Sequence, residues 1–402
     1  MSQEKYMIGD TLFFTFMVLF IGSIVRICAS IYLPAMPLIA EEMHISTAEM
    51  SNTLTVYFVV FAAFTLVAGI LSDAYGRKRV LMSGMFFFIA GSVVCALSDS
   101  YEMLIAGRVI QAFGASMVPG TLMAMIRDAC SDIKVVSLMG WLTVLGGLFL
   151  VAAPIIGGIL THFFGWSSNF WFLSIFTLFV FLLTFLRMDE THPDEARNPV
   201  NIKQTLAISL TMLRSSSFIL VLLPVIAFYA IQGAFLASVP FILMGEYGLD
   251  PVLFGISNIN IVIGLFGGRY LGMYVLKKYD SKTVYRYGAY LALFVVVLFL
   301  LIAIGVISGL WSFLIISGIF ASVFGMMAPL GMKTSLSAFR EVSGVAAALQ
   351  STTLFSASAI GSALIGILIH QFPSLSVEVV FAIVSAVLCL IAALAALKND
   401  NF

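Results

Sequence analysis

Long apolar runs broken by short polar stretches pattern the whole chain, and each run has the length of a bilayer crossing. A helix rising 1.5 Å per residue needs about 20 apolar residues to span the hydrocarbon core. By that measure the sequence predicts twelve spans, near 11–33, 49–71, 80–97, 103–125, 135–160, 166–187, 217–243, 253–276, 286–307, 310–332, 343–369 and 376–397. The longest polar stretch, 188–216, holds Asp189, Glu190, Asp194, Glu195, Arg197, Lys203 and Arg214 and divides the spans six and six. The expected fold is an all-α polytopic membrane protein. An N-terminal six-helix bundle covers 1–187, a cytoplasmic linker 188–216, and a C-terminal six-helix bundle 217–402.

Charge orients these spans. Loops after even-numbered spans hold Arg77, Lys78, Arg79, Arg127, Lys134, Arg187, Arg197, Lys203, Arg214, Lys277, Lys278, Lys282, Arg286, Lys333 and Arg340, with Lys5 and Lys398 in the two termini. The opposite loops contain no Lys or Arg and carry Glu41, Glu42, Glu49, Asp99, Glu102, Glu246, Asp250 and Glu378. Basic residues collect on the cytoplasmic side, so both termini are expected on the cytoplasmic side of the membrane. No small-residue cleavage site follows the first apolar run, which reads as a retained helix.

Composition narrows the class. The chain is 61% hydrophobic and 10% charged, too few charges to cover a soluble domain of this length. A net charge of zero gives no electrostatic ground for a nucleic-acid partner. The partners to expect are the lipid bilayer and a small-molecule substrate. Cys28, Cys95, Cys130 and Cys389 fall in or beside apolar runs without metal-like pairing and read as packing thiols. No His/Asp/Glu cluster lies within the spans, so neither a metal, a cofactor nor intramembrane catalysis is expected.

Between spans two and three runs Gly69-Ile-Leu-Ser-Asp-Ala-Tyr-Gly-Arg-Lys-Arg79. Gly69 removes a Cβ where two helices approach, Gly76 permits a tight turn, and Asp73 suits a helix N-terminus or a nearby cation. Arg77, Lys78 and Arg79 mark the cytoplasmic surface. Taken as charges alone the stretch is a topogenic basic loop. The ordered string resembles the signature loop of the major facilitator superfamily of transporters. That resemblance implies a latch between two conformations, with Arg127-Asp128 at the end of span four as its charged partner. Repetition agrees. Gly268-Arg269-Tyr270-Leu271-Gly272, then Lys277-Lys278, takes the same place in the second half, with Gly272 where Asp73 stands. Gly158-Ile-Leu-Thr-His162 and Gly366-Ile-Leu-Ile-His370 close spans five and eleven. Two copies of a six-helix unit related by an axis along the membrane normal fit this pattern.

Span five carries Gly140, Gly146, Gly147, Ala153, Pro154, Gly157 and Gly158. Pro154 removes a backbone hydrogen bond and bends the helix, and the glycines offer a groove to a neighbour. The run serves equally as an ordinary packing face. It also resembles the span-five motif of drug:proton antiporters, with Ala153 replacing the glycine before the proline, and that likeness implies efflux. In span four Arg108 and Gln111 share a face; an arginine at that depth faces protein or water, or snorkels to headgroups. The pair resembles the superfamily's span-four motif, whose arginine is linked with substrate or proton coupling. Tyr32-Leu-Pro-Ala-Met-Pro37, Gly165-Trp166, Glu190-Thr-His-Pro193, Ser238-Val-Pro-Phe-Ile-Leu243 and Gly344-Val-Ala-Ala-Ala-Leu-Gln350 extend the resemblance to the Bcr/CflA branch of bacterial drug-resistance transporters. It implies a secondary exporter of small amphipathic molecules, with protons as the candidate coupling ion; a monomer is the expected state.

Ser30 departs from that branch, which has an acidic residue two places before Tyr-Leu-Pro. No Asp or Glu lies in the middle of any span, and a buried carboxylate is the natural proton carrier. In its place stands Arg26, on one face with Gly22, Ser23 and Ser30. It either lines a cavity or snorkels and pairs with a carbonyl. A cavity arginine shared with Arg108 supports an alternative cargo, an endogenous anionic metabolite such as a carboxylate siderophore. Tyr229 and Gln232 share a face of span seven, and Asn258 and Asn260 lie in span eight; residues of this kind are as often interhelical glue as substrate contacts.

Overall fold

The structure, a computed structural model, describes residues 12–197, 202–337, 339 and 342–398. Lys5 and Arg340 of the charge pattern and residues 198–201 of the linker lie outside the described residues. Among the described residues, twelve helices are long and apolar enough to cross a membrane. Span one is Leu12–Glu42, two Thr47–Tyr75, three Arg77–Ala96, four Tyr101–Ala129, five Asp132–Phe164 and six Ser167–Arg187. Span seven is Phe218–Glu246, eight Pro251–Val275, nine Ser281–Ala303, ten Leu310–Ser337, eleven Gly344–Gln371 and twelve Val377–Leu397. The all-α twelve-span architecture expected from the hydrophobic pattern is the one the chain forms.

Three local features differ from expectation. Span one does not end at Tyr32-Leu-Pro. Pro34 and Pro37 fall in the first turns of a 3-10 segment, Leu33–Ala35, and of a second helix, Met36–Glu42. A proline there gives up an N–H that the helix does not use, so the span bends and continues to Glu42. The connector between spans two and three is Gly76 alone, because span two runs to Tyr75 and span three begins at Arg77. The linker contains a helix, Ile202–Arg214, whose buried Met212 packs with Phe218, Leu222 and Leu349 of spans seven and eleven.

Spans three and four, eight and ten, nine and twelve, and seven with eleven and twelve make close pairs. Lipid supplies no hydrophobic drive between helices, so close approach depends on small residues. Gly84 and Gly91 of span three lie against the backbone of Gly114 and Gly107 of span four. Two seams join the two sets of six: span two on eleven, and span five on eight.

Both seams are tight at the end of the molecule that carries the acidic loops. A Cβ on Gly158 would overlap the Pro251 carbonyl, and one on Gly255 would lie 2.6 Å from the Pro154 carbonyl oxygen. Thr55 Oγ1 donates to Ser362 Oγ at 2.9 Å, Ser362 Oγ donates to the Ser51 carbonyl at 3.3 Å, and the Phe61 and Phe355 rings sit 4.3 Å apart; beside this seam Ser51 Oγ donates to the Ala237 carbonyl of span seven at 3.2 Å. At the opposite, basic end, nothing among the described residues lies within 4 Å of a Cβ built on Gly69, Gly140 or Gly344. Gly69, expected at a close helix contact, thus faces open space. The two sets part there, leaving a cleft closed at the acidic end and open at the basic end.

Candidate functional site

A pocket lies at the closed head of this cleft, between the two sets of helices. Its walls are mainly Leu33, Leu265, Phe235, Phe320 and Phe324, and Pro154 of span five turns into it. Ser30, Gln232 and Asn258 are its polar points. Asn258, at the break between the two helical pieces of span eight, donates to the Phe254 carbonyl at 2.8 Å. Ser30 and Gln232 make no hydrogen bond among the described residues, so both remain open to a guest. The void open to water is about 70 Å³. That is below the roughly 300 Å³ of a drug-sized site, so in this state the pocket is contracted.

Arg26 sits one helical turn from Ser30 toward the open end. It is exposed, and its guanidinium lies over Gly146, where a Cβ would come within 2.6 Å of Cζ. Gly146, read from sequence as a helix-packing glycine, is the bed for this side chain; Gly157, on the same side of span five, takes the Ile31 carbonyl. Tyr229 of span seven is in electrostatic range of Arg26 and packs edge-on to Phe324 at 5.4 Å. Arg26 has no ion pair or hydrogen bond among the described residues.

Arg108 lies elsewhere. It is fully buried inside the N-terminal set and lines neither the pocket nor a headgroup region. Its guanidinium carbon is 4.4 Å from the ring centres of both Tyr32 and Tyr57. One nitrogen donates to Gln111 Oε1 at 2.6 Å, and Gln111 Nε2 donates to Ser92 Oγ at 2.8 Å. Nε and Nη2 are buried without hydrogen-bond partners. With no carboxylate beside it, the cation is held by two aromatic faces, each worth about 2 kcal/mol when desolvated. Neither tyrosine was singled out as an arginine partner from sequence. Tyr32 was visible only as part of Tyr-Leu-Pro, and Tyr57 stands on another helix with no spacing to connect them.

At the basic end, the residues of the signature string form a network. Arg77 is buried, donates from Nε to Asp128 Oδ2 at 3.1 Å and from Nη1 to Ser72 Oγ at 3.0 Å, and pairs with Asp73. Gly76 has φ +98°, the left-handed region open to glycine. Glu190, just past span six, accepts from the Arg77 and Lys78 amides at 2.9 and 3.1 Å and from the His192 amide at 3.1 Å. Its carboxylate therefore caps the N-terminus of span three, where the helix dipole favours an anion. A Cβ on Gly76 would meet that carboxylate at 2.5 Å. Sequence reading missed this role for Glu190, since nothing in the spacing ties residue 190 to 77. Arg79 and Arg127 are exposed and join no ion pair among the described residues.

The chain matches the model of the family described as Major Facilitator Superfamily over residues 18–308. It is 32% identical over 248 residues to an uncharacterized MFS-type transporter, YdgK, of Bacillus subtilis (strain 168), covering 59% of this chain and 62% of that protein. It is 34% identical over 165 residues to the multidrug resistance protein MdtL of Escherichia coli O157:H7, covering 40% of this chain and 41% of MdtL. The chain thus matches less than two thirds of the length of these relatives. Among solved structures, the fold is similar to a D-xylose-proton symporter, with TM-score 0.73, 13% identity and 98% of both chains covered. A POT family transporter in complex with 5-aminolevulinic acid gives TM-score 0.76 at 14% identity over 94% of both chains.

Proposed function

Because this chain belongs to the Major Facilitator Superfamily, we propose that it is a secondary active exporter of small amphipathic molecules, of the drug-efflux kind. It works by alternating access across a bacterial inner membrane. The observation that carries this reading is the apolar, aromatic pocket on the seam between the two sets of helices, closed on one side and reached through a cleft on the other. Two packed arrangements of one interface are the structural requirement for alternating access. The division into bundles at 1–187 and 217–402, joined by 188–216, supplies the two moving bodies.

The basic end is taken as cytoplasmic, by the asymmetry of Lys and Arg; the conformation is then the one that loads cargo from inside. The sequence likeness to MdtL, named a multidrug resistance protein, and the motifs resembling the Bcr/CflA branch and the drug:proton antiporters support export. Among the described residues no carboxylate lies in the pocket wall, so the reading assigns no proton carrier to the pocket. Expression in an efflux-deficient bacterium should raise tolerance several-fold to at least one apolar drug in a broad panel. Substrate-dependent pH change in proteoliposomes then reports coupling. Unchanged tolerance across the panel, with the protein present in the membrane, would retire the exporter reading.

A further inference from the structure

The pocket has a charged lip that the efflux reading does not use. Arg26 of span one stands four residues toward the basic end from Ser30, which lines the pocket. On span eight, Arg269 stands four residues toward the basic end from Leu265, which also lines it. Four residues are about one helical turn, roughly 6 Å, so each arginine lies on the pocket-facing side of its helix, one turn outside the pocket. Asn258, Ile261 and Leu265 establish the inward side of span eight, and Arg269 continues it at helical spacing. The lipid-facing side of that helix is marked by the exposed Ile263, Tyr270 and Tyr274. Gly325 of span ten packs against the Arg269 backbone, with a Cβ there 3.2 Å from its amide nitrogen. Arg269 is exposed and, like Arg26, has no ion pair or hydrogen bond among the described residues.

One cation thus comes from each set of helices, and among the described residues no carboxylate pairs with either. Every Asp and Glu of the spans sits within a few residues of a helix end. Asp73 and Asp128 are already paired with Arg77, and Asp132, the first residue of span five, stands fourteen residues, about 21 Å of helix, from the Gly146 that Arg26 lies over. Low-dielectric walls focus the field of such charges into the cleft. A planar guanidinium with all its donors free is matched by a carboxylate or sulfonate.

We propose that the cargo is an amphipathic organic anion, its single carboxylate or sulfonate head held between Arg26 and Arg269 and its apolar body in the aromatic pocket. This rests on the exporter reading, since the site proposed is the transport site. It gives Gly146 a purpose, because any side chain there would displace the Arg26 guanidinium from the cleft wall. It also fits Ser30, since an acid at that position would neutralise Arg26 from one turn away.

The test uses the full chain in lipid nanodiscs and two probes of nearly one shape, naphthalene-2-sulfonate and the neutral naphthalene-2-sulfonamide. The wild-type protein should bind the sulfonate at least about tenfold more tightly, the worth of one charge-assisted hydrogen bond. Arg26→Gln and Arg269→Gln should each remove most of that preference, and Arg26→Lys should restore part of it. Neither side chain supports a neighbour, so the variants should elute as the wild type does. Equal affinity for the two probes overturns the proposal, as does a preference that survives both Gln substitutions. Everted vesicles separate the layers. Vesicles that concentrate the sulfonamide or ethidium but not the sulfonate keep the exporter and overturn the anion. Vesicles that concentrate none of the three overturn both.

Discussion

At the acidic end of the molecule the two sets of helices meet backbone to backbone; at the basic end the same rows of small residues face empty space. On span two, Ala48, Ser51 and Thr55 meet span eleven, and the row they belong to reaches Gly69. On span eleven, Gly366, Ser362 and Phe355 meet span two, and Gly344, eighteen residues before Ser362, continues that row. On span five, Gly158, Pro154 and Gly147 face span eight, and Gly140 extends them. Glycine at an exposed helix position costs about 1 kcal/mol relative to alanine. Its repetition where nothing touches it makes sense if those positions pack in a second arrangement. At the basic end each set is tied within itself: Arg77, Asp128 and Glu190 on the N-terminal side, and on the C-terminal side Gln350, which donates to the Met332 carbonyl at 2.9 Å and to Ser335 Oγ at 2.7 Å. In the C-terminal set, Gly272, at the place of Asp73, simply packs on Met326.

Four experiments test that contrast. The largest effect is expected from Gly158→Leu, which drives a side chain into the Pro251 carbonyl and overpacks the closed seam by about 1–3 kcal/mol. Efflux should fall about a hundredfold at the upper end of that range, and a Ser362→Cys reporter should become reactive to an impermeant maleimide. The four native cysteines are buried and add little background. Efflux within a factor of about two of wild type would mean that the seam is not a working contact. Next, Gly69→Leu and Gly140→Leu should leave membrane abundance and melting temperature intact, because the present state has room for them. Efflux should nonetheless drop about tenfold, as the second arrangement loses close to 1.4 kcal/mol; normal efflux would leave these glycines unexplained.

A smaller effect is expected at the single-residue connector. Arg77→Ala leaves Asp73 and Asp128 without their cation and should lower efflux about fivefold, roughly 1 kcal/mol of the conformational balance. Glu190→Gln, which keeps shape but removes the capping charge, should cost less, in the range of 0.3–1 kcal/mol typical of a helix-dipole partner. Hydrogen exchange at the Arg77 and Lys78 amides reads that loss directly, and unaltered exchange would remove Glu190 from the cap.

The hydrophobic pattern was enough to read the twelve spans and their order, because crossing length is a strong constraint. What it could not supply was the partner of each face. Arg108 and Arg26 looked alike in sequence, each a lone arginine among apolar residues. One is enclosed by Tyr32 and Tyr57 and the other lies open on Gly146. The difference comes from contacts 50 to 120 residues apart, which helical periodicity does not encode. Gly69 failed for another reason. A sequence that serves two arrangements carries the requirements of both, and the structure displays one. The bend at Pro34 and Pro37 was misread as an end because proline is a helix breaker in the interior but a helix starter in the first turn.

The linker helix has a mechanical consequence. Its forward anchor is on the C-terminal set, through Met212 against Phe218 and Leu349. Its rear anchor is on the N-terminal set, where Arg197, held within the linker by Asp194 and the His192 carbonyl, lies against Gly76 of the connector between spans two and three. Only residues 198–201 join Arg197 to Ile202, and five steps of chain reach no more than about 18 Å at full stretch. The linker is therefore a short tether moored to both banks, and it sets the widest separation the basic ends can reach. Any wider opening would have to lift Ile202–Arg214 from its berth and bring Met212 into water.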